Sequence, residues 1–459
     1  MSERYDWIII GAGPGGYEAA AIASARGESV VLIERDMLGG TCLNRGCIPT
    51  KCFCHTAEVA SMVAGASEAG INLSADTIAV DAAAMTARKN AVVAGLREQV
   101  AAVVSGCTVV SGEARLVKAE GIDESGRRLH AVEVTAPEGA LLRFNSANIL
   151  IATGSEPTIL PIPGAELTVT SNELLDLQAL PQSVIVIGGG VIGMEFASIF
   201  HRLGVEVTVV EFCPEILPAL DAEVAKRLRT TMKHRGVDFH VSSRVDSVEA
   251  VEGEIKRVHF TEKNRERTAE AEVVLMAVGR RPVIPEGVPE VGIETGRRGI
   301  VVDPLMRTSV EGIRAIGDCN GLCQLAHAAS AQARLVMGEN VDLSVVPSAV
   351  FTMPECAMVG LTQAQAEEQN PAVKVGKAFY RANGKACAMA EADGMVKIIT
   401  ERDTDRILGC HIFGTHASDL ISEVAVAMSN GLTASDLLHT IHAHPTLPEL
   451  ITAALAAAR

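Results

Sequence analysis

The chain has 459 residues, of which 48% are hydrophobic and only 3% aromatic, with 41 glycines. That length allows about three domains of roughly 150 residues each, and the Gly-rich, aliphatic composition is typical of α/β folds. The net charge of −16 argues against a nucleic-acid partner, because contacts to phosphates require clustered Lys and Arg.

The N-terminal region carries a first nucleotide-binding signal. The apolar strand 7–10 leads into a Gly-rich turn, an Ala-rich helix and a second strand that ends at Glu34. The glycines of the turn are Gly11, Gly13 and Gly16. In such a turn the first glycine allows the tight bend, the second lets the backbone approach a pyrophosphate, and the third lets the helix pack closely on the strand. The polar start before this strand leaves no room for a signal peptide, so we expect a cytoplasmic protein.

The same order of signals recurs downstream. Strand 184–187 leads into Gly188, Gly190 and Gly193, and a second strand ends before Glu211. Each position lies 177 residues after its counterpart (for the glutamates, 211 − 34 = 177). One such turn is a weak signal, but two in matching context predict two dinucleotide-binding units. The apolar stretch across this turn contains four glycines and a glutamate, which favours strand, turn and helix over a membrane span.

The remaining segments suggest a scaffold and a third region. A helix is expected over 83–105, a strand over 107–110 and a small sheet around 128–134. Two further strands that close on turns, 148–154 and 273–282, mark crossings between the nucleotide-binding domains. After about residue 342 the pattern becomes α+β. There we expect strands near 349–352, 395–400 and 408–413, and helices over 418–429 and 447–457.

Two of the eleven cysteines differ in kind from the others. Cys42 and Cys47 lie in a Gly-flanked helical segment, and a bridge over this spacing would close too short a loop to stabilise the fold much. A redox role is therefore favoured over a structural disulfide. Cys52 and Cys54 are alternatives as accessory thiols, although core packing is the stronger interpretation. Core packing is also expected for the cysteines that occur singly: Cys107, Cys213, Cys319, Cys323, Cys356, Cys387 and Cys410.

Four segments together resemble one family, the pyridine nucleotide-disulfide oxidoreductases, and within it the dihydrolipoyl dehydrogenases. They are 39–51 around the cysteines, 308–318, 325–327 and 442–449. The resemblance spans nearly the whole chain. It implies an α/β fold with two Rossmann-like nucleotide-binding domains, for FAD and NAD, and a C-terminal α+β dimerisation domain. The expected boundaries are 1–147 for the first part of the FAD-binding domain, 148–271 for the NAD-binding domain, 272–342 for the second FAD-binding or central part, and 343–459 for dimerisation.

The resemblance also implies where each cofactor binds. FAD belongs to the first unit, because Cys42 follows Glu34 by only eight residues (42 − 34 = 8) and the disulfide has to touch the flavin. Glu34 and Glu211 are expected to accept hydrogen bonds from ribose hydroxyls, and a carboxylate at Glu211 would repel a 2′-phosphate, so NAD is favoured over NADP. No arginine follows Glu211 directly. The other expected cofactor contacts are Thr41, Lys51, Thr153, Gly154, Gly279, Asp318 at the ribityl chain, and the backbone of Ala326 and His327.

The family assigns different roles to the two cysteines. Cys47 is implied to be the thiolate under the flavin, and Cys42 the thiol that exchanges with substrate. Lys51 and Glu195 resemble the family's ion pair beside the flavin, where an ammonium stabilises negative charge on the reduced ring.

An acid–base pair is implied near the C-terminus. His444 and Glu449 match the family's dyad, which the partner subunit lends to the active site; a homodimer is therefore implied. Histidine titrates near neutral pH, and a carboxylate fixes its tautomer. His442 is the rival base. Arg45 and Pro448 depart from the commonest family pattern without removing a catalytic group.

The implied activity is oxidation of dihydrolipoamide, or of a lipoyl domain, with NAD⁺ as acceptor. The expected partners are a 2-oxo acid dehydrogenase or glycine-cleavage complex, with no nucleic acid, membrane or metal. Glutathione or mercuric reductase is the alternative, opposed by the residues 49–51 and by a tail that lacks a terminal cysteine pair. A non-catalytic binding subunit is opposed by the intact Cys42, Cys47 and His444.

Overall fold

A computed structural model of the protein describes residues 3–73, 79–118, 121–369 and 372–458. The α-helices in these ranges are α1 Pro14–Ala25, α2 Gly40–Arg45, α3 Cys47–Ala64, α4 Ala82–Val103, α5 Ser171–Leu174, α6 Val191–Arg202, α7 Ala222–His234, α8 Ala326–Val336, α9 Gln363–Gln369, α10 Gly384–Ala388, α11 Ala417–Ser429, α12 Ala434–Leu438 and α13 Glu449–Ala457.

The β-strands in these ranges are β1 Glu3–Arg4, β2 Trp7–Ile10, β3 Val30–Glu34, β4 Thr108–Ser111, β5 Glu113–Val117, β6 His130–Thr135, β7 Leu141–Ser146, β8 Ile149–Ile151, β9 Ser155–Pro157, β10 Ser183–Ile187, β11 Glu206–Val210, β12 Asp238–His240, β13 Ser243–Ala250, β14 Lys256–Glu262, β15 Arg265–Ala271, β16 Val273–Met276, β17 Arg280–Pro282, β18 Thr295–Gly296, β19 Gly299–Ile300, β20 Ile313–Ala315, β21 Ser348–Val350, β22 Glu355–Gly360, β23 Val373–Phe379, β24 Met395–Glu401 and β25 Ile407–Gly414.

The chain divides into two compact units, each built from three segments. Unit 1 contains Met1–Cys52, Thr86–Thr158 and Arg280–Leu343. Unit 2 contains Phe53–Met85, Ile159–Gly279 and Ser344–Arg459.

Unit 1 is organised on a five-stranded parallel sheet in the order β20-β8-β2-β3-β4. Both faces of its central strands are buried. Ile8 and Ile10 pack into one hydrophobic cluster, whereas Trp7 and Ile9 pack into another on the opposite face. A parallel strand covered on both faces has to be apolar throughout, which explains the unbroken Trp-Ile-Ile-Ile sequence of β2. A smaller sheet, β1-β7-β6-β5, belongs to the same unit.

Unit 2 contains a second parallel sheet, β12-β11-β10-β16, and a separate antiparallel one. In the parallel sheet Val184 and Val186 face one cluster and Ile185 and Ile187 face another. The two βαβ units expected from the sequence are therefore confirmed. A three-stranded antiparallel sheet, β13-β14-β15, is inserted in the chain between β12 and β16 of this parallel sheet.

The C-terminal part of unit 2 is built on the antiparallel sheet β21-β22-β25-β24-β23. Every residue of β25 is buried, and its cluster includes apolar residues of α11 and α13. The strands and helices predicted after residue 342 are present, and so is the predicted α/β fold class with a C-terminal α+β region. The strands β22 and β23 and the short helices α9, α10 and α12 were not predicted.

Two predicted boundaries fall on the wrong side of a strand. β8 follows the predicted boundary at 147/148 but pairs with β2 and β20 of unit 1. β16 follows the predicted boundary at 271/272 but pairs with β10 of unit 2. β8 completes the parallel sheet of unit 1, and β16 completes the parallel sheet of unit 2. The chain therefore passes to the other unit only after each of these strands and the turn that follows it. The assignment of the four segments to cofactors and dimerisation stays a prediction.

No helix among the described residues is long and apolar enough to cross a membrane.

Candidate active site

In the turn between β2 and α1, two glycines have no room for a side chain and a third has open space beside it. Gly11 has a φ of +101°, and a Cβ there would lie 2.3 Å from Ala152 O. A Cβ on Gly16 would lie 1.8 Å from Gly11 O. At Gly13 the nearest atom to a Cβ would be 4.0 Å away, so this glycine leaves open space. Backbone N–H groups at the start of α1 can thus be approached by an anion, as a pyrophosphate requires.

The second turn, between β10 and α6, repeats this pattern. Gly188 has a φ of +107°, with a would-be Cβ 2.4 Å from Ala277 O. A Cβ on Gly193 would lie 2.0 Å from Gly188 O, whereas one on Gly190 would meet nothing within 4 Å. Both turns therefore fit a dinucleotide pyrophosphate: two glycines shape the backbone, and the middle one of the three leaves room for the ligand.

The two strand-end glutamates brace these turns. Glu34 accepts hydrogen bonds from Ala12 N at 2.7 Å and Asp36 N at 2.9 Å. Glu211, which is buried, accepts one from Gly189 N and one from Cys213 N at 2.5 Å. The donors correspond one to one between the two units. Because each carboxylate has about four lone-pair sites, these bonds leave capacity for the ribose hydroxyls predicted as their partners.

The two cysteines lie on either side of a helix break. Cys42 is in α2, Gly46 interrupts the helix, and Cys47 is the first residue of α3. Both are thiols in this structure; Cys42 is half-buried and Cys47 is exposed. The hydrogen bond with Cys47 and, next, burial raise the pKa of Cys42 far above its usual range, although the charge of Lys51 opposes this. The shared proton therefore belongs to Cys42, and a helix N-terminus favours a thiolate at Cys47.

The segment between the cysteines is fastened by two residues that sequence reasoning did not single out. Asn44 Nδ2 donates to Leu38 O and Gly40 O, both at 2.9 Å. Arg97 of α4 donates to Asn44 Oδ1 from Nη2 at 2.8 Å. Arg45, the departure noted in the sequence, pairs with Asp36 at 2.6 Å near the surface. In the sequence, the only indication of a role for Asn44 is its position between the two redox cysteines.

A second polar cluster of unit 1 surrounds Asp318. Its carboxylate accepts a hydrogen bond of 2.5 Å from Ser155 Oγ, and Ser155 Oγ accepts one of 2.8 Å from Arg280 Nε. Neither Ser155 nor Arg280 was predicted as a site residue. Nearby, Thr153 Oγ1 donates to Val283 O at 2.6 Å, and both predicted glycines of these turns, Gly154 and Gly279, have positive φ.

Helix α8 presents its N-terminus where backbone donors were expected. It begins at Ala326, and the preceding Leu325 supplies no side-chain cap. The first N–H groups of a helix point out of its end, which fits the predicted backbone contacts of Ala326 and His327 to a pyrimidine edge. Thr41 is exposed on α2.

In unit 2, the two candidate histidines have opposite environments. His444 is 78% exposed, and its Nδ1 donates to Glu449 Oε1 at 2.9 Å. Glu449 also accepts Thr446 N, and this bond, together with His444, lowers the pKa of Glu449. His442 is only 11% exposed and donates from Nε2 to Glu423 Oε1 at 2.7 Å. The dyad geometry therefore favours His444 as the base that reaches a substrate.

The predicted partner residues Lys51 and Glu195 fall in different units. Glu195 is buried on α6 and accepts a hydrogen bond from Phe351 N at 3.0 Å. Its ion pair with Lys51 stays a prediction. Of the possible accessory thiols, Cys52 is buried, and Cys54 is partly buried and donates to Phe351 O at 3.5 Å. Pro448 stands at the N-cap of α13, directly before Glu449.

Comparison with known proteins decides the family. Residues 5–333 match the family model described as pyridine nucleotide-disulphide oxidoreductase. The chain belongs to this family. Residues 346–455 match the dimerisation domain of the pyridine nucleotide-disulphide oxidoreductases. The protein is thus an FAD-dependent disulfide oxidoreductase linked to NAD, and both Gly-rich turns fit these cofactors.

Relatives and solved structures match over almost the full length. Dihydrolipoyl dehydrogenase of Chlamydia trachomatis serovar D is 40% identical, covering 98% of this chain and 96% of the relative. The crystal structure of LpdA from Mycobacterium tuberculosis is 32% identical, with a TM-score of 0.88 and 99% of each chain covered. RclA from Escherichia coli, an HOCl-induced flavoprotein disulfide reductase, is 28% identical with a TM-score of 0.87 and full coverage of both chains.

Proposed function

We propose that this family member is a dihydrolipoyl dehydrogenase, which oxidises dihydrolipoamide to lipoamide and reduces NAD⁺ through the Cys42–Cys47 couple. The observation that carries the proposal is the exposed His444, held by Glu449. A dithiol substrate has to lose protons before it attacks a disulfide, and this histidine is built to take them. The name of the Chlamydia relative agrees with the proposal.

His444 acts as the general base. Because its Nδ1–H is given to Glu449, the neutral ring keeps Nε2 as its acceptor. Nε2 takes the proton of one substrate thiol, and in the family arrangement the Cys42 that it serves belongs to the second subunit. The exposure of the ring in a single chain suits a group that works on a partner.

The two cysteines divide the exchange between them. The substrate thiolate attacks Cys42 Sγ, the S–S bond breaks, and Cys47 leaves as a thiolate. The second substrate thiol then displaces Cys42 from the mixed disulfide, and its proton passes to Cys42. Lipoamide is released. The raised pKa of Cys42 keeps that proton in place while Cys47 stays charged. When bound, FAD and NAD⁺ would supply the transfer of the electron pair of the reduced Cys42–Cys47 couple, with the proton of Cys42, as a hydride to NAD⁺. The disulfide forms again, and His444 releases its proton to solvent.

Residues of the two turns would hold the cofactors. Glu34 and the open Gly13 would serve FAD, with Asp318 at the ribityl chain and Lys51 beside the flavin. Gly190 and Glu211 serve NAD. The carboxylate of Glu211 disfavours a 2′-phosphate.

One observation favours a second candidate, an NADPH-linked reductase such as glutathione reductase. A groove of about 320 Å³ is lined by Phe212, the residue that follows Glu211, and by Ser242, Arg244, Thr261, Lys263 and Asn264. Its two cations, Arg244 and Lys263, lie in β13 and in the β14–β15 turn, whereas no arginine follows Glu211 directly. Arg244 is already paired with Asp246 at 2.9 Å, which offsets its charge, so NAD remains the better fit.

The proposal includes a homodimer that exchanges electrons with the lipoyl domain of a 2-oxo acid dehydrogenase or glycine-cleavage complex. The match of residues 346–455 to a dimerisation domain supports the dimer. A cytoplasmic location is also part of the proposal, since eleven cysteines in a chain of 459 residues do not resemble the disulfide framework of a small secreted domain.

A two-substrate assay tests the proposal. NADH formation from dihydrolipoamide and NAD⁺ is compared with NADPH consumption by oxidised glutathione, and we expect only the first. Cys47→Ser should abolish lipoamide turnover and the long-wavelength absorbance of a thiolate next to flavin. Cys387→Ser, which changes an exposed cysteine of α10, should leave both unchanged. Turnover of glutathione alone, or a long-wavelength band that survives in Cys47→Ser, would contradict the assignment.

A further inference from the structure

Ser155 joins two charged residues of unit 1 that are distant in sequence. Ser155 Oγ donates to Asp318 Oδ2 at 2.5 Å, across 163 residues of chain. The same oxygen accepts from Arg280 Nε at 2.8 Å, and the backbone O of Ser155 accepts from Arg280 Nη2 at 2.7 Å. A serine side chain thus stands between a guanidinium and a carboxylate.

These contacts fix the direction of the hydrogen bonds. A hydroxyl has one proton and can accept as well as donate. Because Arg280 Nε–H is directed at Ser155 Oγ, the hydroxyl proton is left for Asp318. Oδ2 of Asp318 is therefore capped, and Oδ1 is the oxygen left for other donors.

The backbone holds the guanidinium in this position. β9 and β17 form a two-stranded antiparallel sheet in which Arg280 pairs with Pro157 and Pro282 pairs with Ser155. Gln324 Nε2 donates to Arg280 O at 3.4 Å. Two donors of one guanidinium bind two acceptors of one residue, an arrangement that lysine cannot reproduce.

We propose that Ser155 and Arg280 are positioning residues for FAD, which orient the Asp318 carboxylate so that its second oxygen accepts a hydroxyl of the ribityl chain. This inference rests on the FAD role given to Asp318 in the proposed function. It gives a role to the Arg280–Ser155 pair, which neither the Gly-rich turns nor the cysteines account for.

The electrostatic surroundings of Arg280 agree with this role. Burial lowers the pKa of Arg280, while the charges of Asp318, Cys47 and Glu156 oppose the effect. The guanidinium therefore lies within electrostatic reach of both the Asp318 carboxylate and the flavin-facing cysteine. Its neighbour Arg281 is different: it is exposed and pairs with Glu156 at 2.8 Å.

The test measures FAD affinity of the apoprotein by quenching of flavin fluorescence. Ser155→Ala removes the bridge and should raise the FAD Kd about tenfold or more, the effect of one charge-assisted hydrogen bond. Ser155→Thr keeps the hydroxyl and should restore most of the affinity. Arg280→Gln should weaken FAD binding similarly, with Arg280→Lys giving only partial rescue. Arg281→Gln, the matched control at the next position, should bind FAD normally.

Melting curves of the apoproteins separate positioning from folding. A rise in Kd with an unchanged melting temperature and rescue by threonine supports the proposal. Wild-type Kd values in Ser155→Ala and Arg280→Gln would overturn it, and so would a loss of affinity that follows the loss of stability and that threonine does not rescue. These measurements use no thiol substrate, so a failure to oxidise dihydrolipoamide would refute the proposed function without changing their outcome.

Discussion

Replacing His444 and His442 by alanine, one at a time, separates a catalytic base from a structural histidine. The chemical change is the same in both variants, but the rings differ in exposure, at 78% and 11%. His444→Ala removes the proton acceptor, and loss of a general base lowers rates by about 10²–10⁴-fold. Since the ring is mostly in solvent, the stability of the protein should change by no more than about 0.5 kcal/mol.

His442→Ala should have the opposite profile. The ring bonds Glu423 Oε1 at 2.7 Å and Thr452 Oγ1 at 3.0 Å, and its removal leaves these partly buried groups without that partner. An unsatisfied buried group costs about 1–3 kcal/mol. For a domain of roughly 150–250 residues each kcal/mol lowers the melting temperature by about 2–4 °C. Lipoamide turnover per folded molecule should fall much less than in His444→Ala.

Two measurements decide between these profiles: steady-state NADH formation with dihydrolipoamide, and thermal unfolding of the FAD-loaded protein. Flavin absorbance gives the concentration of loaded enzyme for the first. If His444→Ala kept near-normal turnover while His442→Ala lost it without a change in melting temperature, the base would be His442 and the dyad argument would be wrong.

Two further predictions follow from contacts in unit 2. Gly193→Ala places a Cβ 2.0 Å from Gly188 O and should lower the free energy of unfolding, measured in urea, by about 3 kcal/mol. Gly190→Ala has open space and should fold normally, but it should raise the NAD Kd, measured by calorimetric titration, at least about tenfold. Glu223 accepts hydrogen bonds from Lys377, Lys397 and Arg227; although burial alone would raise its pKa, these cations lower it to about 2. Because this is below the unfolded value of about 4.3, the stabilisation is present above pH ~4.3 and is lost as the pH falls toward 2. Glu223→Gln should flatten the dependence of stability on pH between about 5 and 3 in urea unfolding, and equal slopes for both proteins would refute the assignment.

The parallel sheets could be predicted because their signals are local. β2 is apolar throughout, β10 is apolar after its first residue Ser183, and each strand is followed by a glycine with positive φ. Short apolar runs of this length that are rich in β-branched residues and end at a Gly-rich turn favour a buried strand over a helix. The spacing between the two copies also predicted the matching turns. The redox cysteines stood out for the same reason, since their segment is short and contiguous.

β23 illustrates why other elements could not be predicted. Gly376 lies in the middle of this strand, where glycine weakens the expectation of a strand. A Cβ at Gly376 would lie 1.9 Å from Ala454 O of α13, so the residue is small because a helix packs against it. That reason exists only in the folded protein. The same holds for Ser155 and Arg280, which are 125 residues apart in the chain and form one hydrogen-bonded pair.

Because the two Gly-rich turns are equivalent, selectivity between FAD and NAD has to come from residues outside them. Glu34 binds the N–H groups of Ala12 and Asp36, and Glu211 binds those of the residues 177 positions later. Since shape and bracing are the same, the turns themselves cannot distinguish FAD from NAD. The segments that follow the glutamates do differ. After Glu34 the chain reaches Cys42 within eight residues (42 − 34 = 8), whereas after Glu211 it presents an exposed Phe212 and a cation-lined groove. We therefore expect the selectivity for the flavin and for the nicotinamide nucleotide to come from these flanking segments, so that exchanging the two Gly-rich turns alone would not exchange the cofactors.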